Sequence, residues 1–192
     1  RVSLVGSEMC IRDRVKTPDE IKFIDDLLTD CNLDTDLHVI METNEALECI
    51  YEIAHASKRT VALYFGGVDM AAELRCEHKW ENLVYARSKL VHAGASIGVD
   101  VIDVPYLDLE NMDGMKKEAE LAKNLGFTGK GSIHPKQIGI LNEVFTPSKE
   151  EISHAKRIVD QFNESNTGLV VIDGKLIELS LIHISEPTRL TR

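Results

Sequence analysis

The chain has 192 residues, with 22 basic against 32 acidic side chains and a formal net charge of −10. A surface this acidic repels phosphate backbones, which disfavours nucleic-acid binding. Its content of 43% apolar and 28% charged residues is that of an ordinary soluble protein,, and no apolar stretch reaches the roughly 20 residues needed to cross a bilayer.

In chain order, residues 4–14 resemble a translated sequencing-library adapter, and so do residues 179–189. With suitable codons the two stretches are reverse complements of one oligonucleotide. Such scars are set aside before a fold is read. Residues 1–14 and 179–192 are therefore expected to be adapter-derived and non-native, with 15–178 the domain proper, cut from a longer protein. Cys10, Arg12, Arg14, His183, Arg189 and Arg192 then drop out of the functional argument.

The first helix is expected to open at Thr17-Pro18-Asp19-Glu20: Thr17 can cap, Pro18 suits the first turn, and acids favour the positive end. Ile21, Phe23, Ile24, Leu27 and Leu28 supply its apolar face. A strand at 37–41 leads to the cap Thr43-Asn44-Glu45 and a helix over 46–55. The strand at 60–65 is continuously apolar, as a parallel strand covered on both sides would be. A helix over about 80–98 should turn Trp80, Leu83, Val84, Leu90 and Val91 inward. A strand at 99–104, a helix at 113–125 with Met115, Ala119, Leu121 and Ala122, a short strand at 131–133 and an amphipathic helix at 148–162 complete the series. Strands alternating with helices indicate βαβ units and a parallel sheet. Both a barrel and a doubly wound open sheet fit that pattern, although no dinucleotide-type glycine fingerprint is present.

Glu42 and Asp69 each stand where a strand gives way to a helix. In an α/β barrel, strand C-termini converge on one mouth, so carboxylates there can share a cation and a substrate. Isolated acids at such positions also serve as caps or solvated charges. Gly66 and Gly67 permit close backbone approach beside Asp69, and their amides can hold an anionic group; a strand-to-helix turn that needs glycine is the alternative. Asp103 and Tyr106 should face the same mouth or fill a barrel layer. Gly126–Ser132 fails the phosphate-loop pattern, because Asn124 takes the first glycine position and Gly131 that of the hydroxyl residue. Cys31, Cys49 and Cys76 are odd in number and unpaired in spacing, which fits a reduced, cytoplasmic setting.

These residues also carry a resemblance. Ile40-Met41-Glu42-Thr43 and Phe65-Gly66-Gly67-Val68-Asp69-Met70-Ala71-Ala72-Glu73-Leu74 are similar to the two metal motifs of the citrate lyase β-chain/HpcH-HpaI aldolase superfamily. So are Leu83-Val84-Tyr85-Ala86-Arg87-Ser88, the run 102–108, and the run 126–138 that ends in Ile133-His134-Pro135-Lys136-Gln137-Ile138. The likeness covers essentially all of 15–178 and leans toward the malyl-, citramalyl- and citryl-CoA lyase branch.

The resemblance implies an α/β fold, the C-terminal half of a (β/α)8 TIM barrel, about strands 5–8 with their helices. It implies a Mg²⁺-dependent carbon–carbon lyase that cleaves or forms a 3-hydroxyacyl-CoA, with an acyl-CoA thioester and a keto acid as substrates and a homo-oligomeric parent. Glu42 and Asp69 would hold the metal, with Glu42, Gly66 and Gly67 against the substrate. Lys130, Ile133 and His134 would line the coenzyme A side, with Lys136 a further phosphate contact; His134 could instead be structural, its ring bonding the last turn. Glu178 would be catalytic, in proton transfer. The family's substrate-binding Arg and an acidic strand-end motif would lie in the missing front half, and an open half-barrel exposes sheet edges and apolar surface, so the fragment itself is expected to be inactive. A malate-synthase-like or acyl-CoA thioesterase activity in the same barrel is the enzymatic alternative. A non-catalytic acyl-CoA-binding subunit is the other.

Overall fold

Strands in chain order, each hydrogen-bonded to the next, make the sheet that positions every candidate residue of the first unit. The computed structural model describes residues 2–4, 9–12, 14–164, 169–172 and 175–178, and the side chains of 14–163 and Val171. It divides into two compact units, Arg1–Val144 and Phe145–Arg192.

The first unit carries β1 (Val2–Leu4), β2 (Met9–Arg12), β3 (Asp36–Met41), β4 (Thr60–Phe65), β5 (Asp100–Asp103) and β6 (Gly129–Lys130). β1 runs antiparallel to β2, and every later pairing is parallel. The expected parallel α/β sheet is present. Two strands lie in residues 1–14, for which no element was expected, and the last parallel strand is Gly129–Lys130 rather than 131–133.

Seven helices connect or follow these strands: α1 (Pro18–Asp30), α2 (Asn44–Glu48), α3 (Ile50–Ala54), α4 (Gly67–Leu74), α5 (Trp80–Ile97), α6 (Met112–Leu125) and α7 (Pro135–Phe145). The helix expected over 46–55 is two short ones, broken at Cys49. α7 was not foreseen; the helix expected to follow the second strand near Asp69 is α4, which begins at Gly67. At the start of α1, Thr17 makes no side-chain cap bond; Glu20 instead reaches back to accept from the Lys16 amide at 2.8 Å. Gly98 (φ +71°) and Gly126 (φ +112°) end α5 and α6 in the left-handed conformation, which glycine adopts without a Cβ penalty,.

One face of the sheet is packed and the other half-open. Leu37, Val39 and Met41 of β3 are buried, whereas His38 and Ile40 between them are half-buried. The core of the unit also takes Ile21, Ile24 and Leu28 from α1, Ile50 and Ile53 from α3, Leu83 and Leu90 from α5, and Met115, Ala119 and Ala122 from α6. Phe23, Leu27, Val84 and Leu121 were expected on the core faces and are exposed instead. On α5 the buried positions beside Leu83 are Ala86 and Arg87, so the helix is rotated from the orientation its valine suggested.

The second unit holds α8 (Lys149–Glu164), with Ala155 and Ile158 buried. It also holds an antiparallel hairpin of β7 (Leu169–Ile172) and β8 (Lys175–Glu178). Among the described residues, no helix is long and apolar enough to cross a membrane.

Candidate functional site

The parallel register places the two acids side by side. Met41 pairs with Phe65, so the residues that follow each strand, Glu42 and Gly66, are neighbours, and the Gly66 amide donates to the Met41 carbonyl at 2.9 Å. Gly66 then caps α4, and Asp69 falls in that helix's first turn, where a negative charge meets the positive end of the helix dipole,. Glu42 is buried and Asp69 half-exposed.

The two carboxylates converge on one cation. The Arg14 guanidinium bridges them, Nε to Glu42 Oε1 at 3.1 Å and Nη2 to Asp69 Oδ1 at 2.8 Å. Arg14 was set outside the site on sequence grounds; the structure puts its head group at the centre. The fork shows that two carboxylate oxygens from different elements can grip one positive charge. A hard divalent ion such as Mg²⁺ usually takes one or two carboxylates and keeps waters or substrate oxygens, and this donor set fits it.

Gly66 has φ −88°, a conformation open to any residue, so the turn itself does not demand glycine. Space does. A Cβ at 66 would lie 2.3 Å from Glu42 Cβ, and one at 67 would lie 2.9 Å from the Phe65 ring. With the Gly66 amide given to Met41, Gly67 is left at the first helical position, where an amide has no intrahelical partner,.

Beside this pair lies a buried charge cluster. Asp103, at the end of β5, accepts from Arg87 Nε at 2.8 Å and from Lys130 Nζ at 2.7 Å, and Lys130 also reaches Glu118 Oε1 at 2.7 Å. The Arg87 guanidinium is sandwiched between Trp80 and Phe65, 4.5 and 5.0 Å from the ring centroids. Two positive and two negative groups cancel, which is how a buried charge is tolerated. The Lys130 ammonium is fully buried and committed to these acids. It does not present itself to a phosphate, contrary to expectation. Asp103 likewise points into the cluster. Arg87, the hub, stood in a quoted motif but was assigned no role.

His78 adjoins the cluster, and its pKa lies below the ordinary histidine value because burial, then the Arg87 charge, disfavours a second proton. Its Nε2 is buried without a hydrogen-bond partner among the described residues.

On the loop after β6, Ile133 is exposed and the His134 ring accepts from the Lys136 amide at 3.1 Å, so the imidazole caps the first turn of α7. The alternative expectation of a structural histidine matches this local contact in kind, but with the following helix. Gln137, fully buried, ties the loop down: its Nε2 donates to the Tyr106 carbonyl at 2.8 Å and its Oε1 accepts from the Ile133 amide at 3.0 Å. That staple was missed; a polar residue at a buried helix position was its only trace. Glu178 ends β8 in the second unit, and its side chain lies outside the described residues.

Residues 10–135 match the sequence profile of the HpcH/HpaI aldolase/citrate lyase family. The chain is 34% identical to the citrate lyase β subunit of Escherichia coli (strain K12) over 149 residues, 75% of this chain and 49% of that protein. It is 30% identical to the (3S)-malyl-CoA thioesterase of Cereibacter sphaeroides over 177 residues, 90% of this chain and 60% of that protein. The chain thus spans about half the length of the first relative. Among solved structures, CitE from Mycobacterium tuberculosis in complex with magnesium, acetoacetate and coenzyme A superposes with a TM-score of 0.76 at 21% identity, over 95% of this chain and 68% of that one.

Proposed function

Because the chain belongs to the HpcH/HpaI aldolase/citrate lyase family, we propose that it is the C-terminal half of a (β/α)8 barrel, with β3 to β6 as about strands 5–8. Its parent is then a Mg²⁺-dependent lyase that cleaves or forms a short 3-hydroxyacyl-CoA such as malyl-, citramalyl- or citryl-CoA, giving an acyl-CoA and a keto acid. The observation that carries this reading is the convergence of Glu42 and Asp69 on a single cation. A homo-oligomeric parent in the cytoplasm is part of the same proposal.

In that reading, Glu42 and Asp69 hold the metal at the mouth of the sheet. When bound, Mg²⁺ supplies Lewis-acid stabilisation of the negative charge that gathers on the substrate hydroxyl oxygen as it becomes a carbonyl. Glu42 is buried, with its side chain close against Gly66. The Gly67 amide, at the first position of α4, donates to the substrate carboxylate in this reading. Ile133, exposed at 53%, offers an apolar rim toward the coenzyme A arm, with Lys136 as the nearby cation and His134 shaping the turn. Glu178 is proposed to transfer a proton, and Glu178→Gln in the complete protein tests it: unchanged turnover would discard the role.

The malyl-CoA thioesterase relative favours a second reading, in which the same barrel releases free acid and coenzyme A. Product analysis of the complete protein separates the two. A lyase yields acyl-CoA and keto acid without free thiol, and Glu42→Ala or Asp69→Ala abolishes turnover. Cleavage that survives both changes overturns the metal-lyase reading, and a parent that binds acyl-CoA without turnover is a binding subunit. The 192-residue chain itself is proposed to be inactive.

A further inference from the structure

We propose that Arg87 is a positioning residue for the candidate metal site: stacked against Phe65 and moored to Asp103, it fixes the strand end from which Gly66, Gly67 and Asp69 depart. The inference deepens the metal reading above and rests on it.

Three observations carry it. First, Arg87 ties two strand ends together from α5. Its Nε donates at 2.8 Å to Asp103, which ends β5, and its guanidinium lies against Phe65, which ends β4, with Trp80 as the second ring. A planar cation that hydrogen-bonds through its edge keeps its faces for aromatic rings, an arrangement that the point charge of lysine does not reproduce. Second, the Phe65 ring shapes the turn that follows it. A Cβ on Gly67 would lie 2.9 Å from Phe65 Cε1, 3.1 Å from Val104 Cγ1 and 3.2 Å from His78 Nε2, so these side chains close on the first residue of α4. Val104 directly follows Asp103, so two of the three walls are set by residues at the Arg87 mooring. Asp69 stands two residues further along α4, and on the other side of the turn Gly66 packs against Glu42. A shift of the ring therefore moves Gly67, and with it Asp69 relative to Glu42.

Third, filling space does not account for an arginine here. Its side chain is 1% exposed, and its Nη1 is buried with no hydrogen-bond partner among the described residues. An orphaned buried donor is costly, and apolar residues of similar volume often replace a buried ion pair without loss of stability. What the arginine adds is direction: an edge fixed by a carboxylate and faces fixed by rings.

Mn²⁺ binding to the 192-residue chain, followed by electron paramagnetic resonance, tests the proposal in the wild type, Arg87→Lys, Trp80→Leu, their double variant, Ile24→Val and Glu42→Gln, each matched to wild type in far-ultraviolet dichroism. Arg87→Lys keeps the charge but loses the plane, and Trp80→Leu removes one ring of the stack while leaving Phe65 in place. Each should weaken Mn²⁺ binding about three- to tenfold, less than the loss of a group that bonds a metal ligand directly. The double variant should lose no more than the weaker single, because both act through one stack. Ile24→Val, which trims the core beneath α1, should bind as wild type does, and Glu42→Gln should abolish binding. Should Arg87→Lys fail to fold, Trp80→Leu carries the test, since Trp80 is only half-buried at the start of α5. Wild-type affinity in the stack variants, with loss in Glu42→Gln, overturns the inference and leaves the metal reading standing. So does an equal loss in Ile24→Val, or additive losses in the double variant. Absence of binding in every chain, wild type included, overturns both.

Discussion

Gly66 and Glu42 touch so closely that no methyl group fits between them: a Cβ at 66 would lie 2.3 Å from Glu42 Cβ and 2.9 Å from its Oε2. The contact follows from register, since the strand ends Met41 and Phe65 are partners. It couples a backbone position to the placement of a candidate metal ligand.

Gly66→Ala should therefore destabilise the chain by about 1–3 kcal/mol through overpacking, and should weaken Mn²⁺ binding by moving Glu42. Gly139→Ala is the contrast. That glycine lies within α7 with nothing within 4 Å of the added atom, so the change should stabilise by about 0.5–1 kcal/mol through helix propensity. Thermal melts of the two variants shifting in the same direction would refute the steric account.

The Asp103 carboxylate holds two cations in a fully buried place. Asp103→Ala leaves Arg87 and Lys130 with Glu118 alone, 17% exposed and 4.0 Å from Arg87. A loss of about 3–5 kcal/mol in urea denaturation is expected. A loss under about 1 kcal/mol would show that water or a neighbour takes over the carboxylate's role.

His38 and His78 both have lowered pKa values, chiefly through burial. At His38 the charges of Asp36 and Asp100 oppose the shift; at His78, Arg87 and Lys130 reinforce it while Glu118 and Asp103 oppose it. The unfolded chain thus binds protons that the folded chain refuses. This contribution to stability is whole above the ordinary histidine value of about 6.5 and is lost as pH falls through the lower folded values. Unfolding free energy should decline between pH 7 and pH 5, with a shallower slope in a His38→Gln, His78→Gln double variant. An unchanged slope in that variant would refute the assignment.

Gln137→Leu keeps the volume but orphans the Tyr106 carbonyl and the Ile133 amide. The expected cost is about 2–3 kcal/mol, with faster amide hydrogen exchange over 131–134. If exchange there stays at the wild-type rate, the loop is held by something other than this side chain.

Much of the layout was legible from residue pattern. Apolar runs at 37–41 and 60–65 announced buried parallel strands, and glycines at 98 and 126 stood where helices end. The acids at 42 and 69 were readable because each stands at a strand-to-helix junction: Glu42 directly follows β3, and Asp69 lies in the first turn of the helix after β4. The helix after the second strand was read without bounds because Gly66-Gly67 reads as a turn, whereas α4 already includes Gly67. Val84 was read inward and Arg87 passed over for a related reason: helical periodicity sorts residues by hydrophobicity. A buried arginine becomes acceptable only when two aromatic rings and a carboxylate close around it.

The amino-acid order by itself determined the alternation of strand and helix and the two carboxylates at strand-to-helix junctions, because these depend on local period and position. Only the tertiary structure decided which charges are spent. Lys130 looks like a phosphate contact until Asp103, 27 residues away, and Glu118 claim its ammonium, and Arg14 looks dispensable until folding brings it 2.8 Å from Asp69, 55 residues on. Electrostatic partners are chosen by distance in space, and separation along the chain says little about that distance.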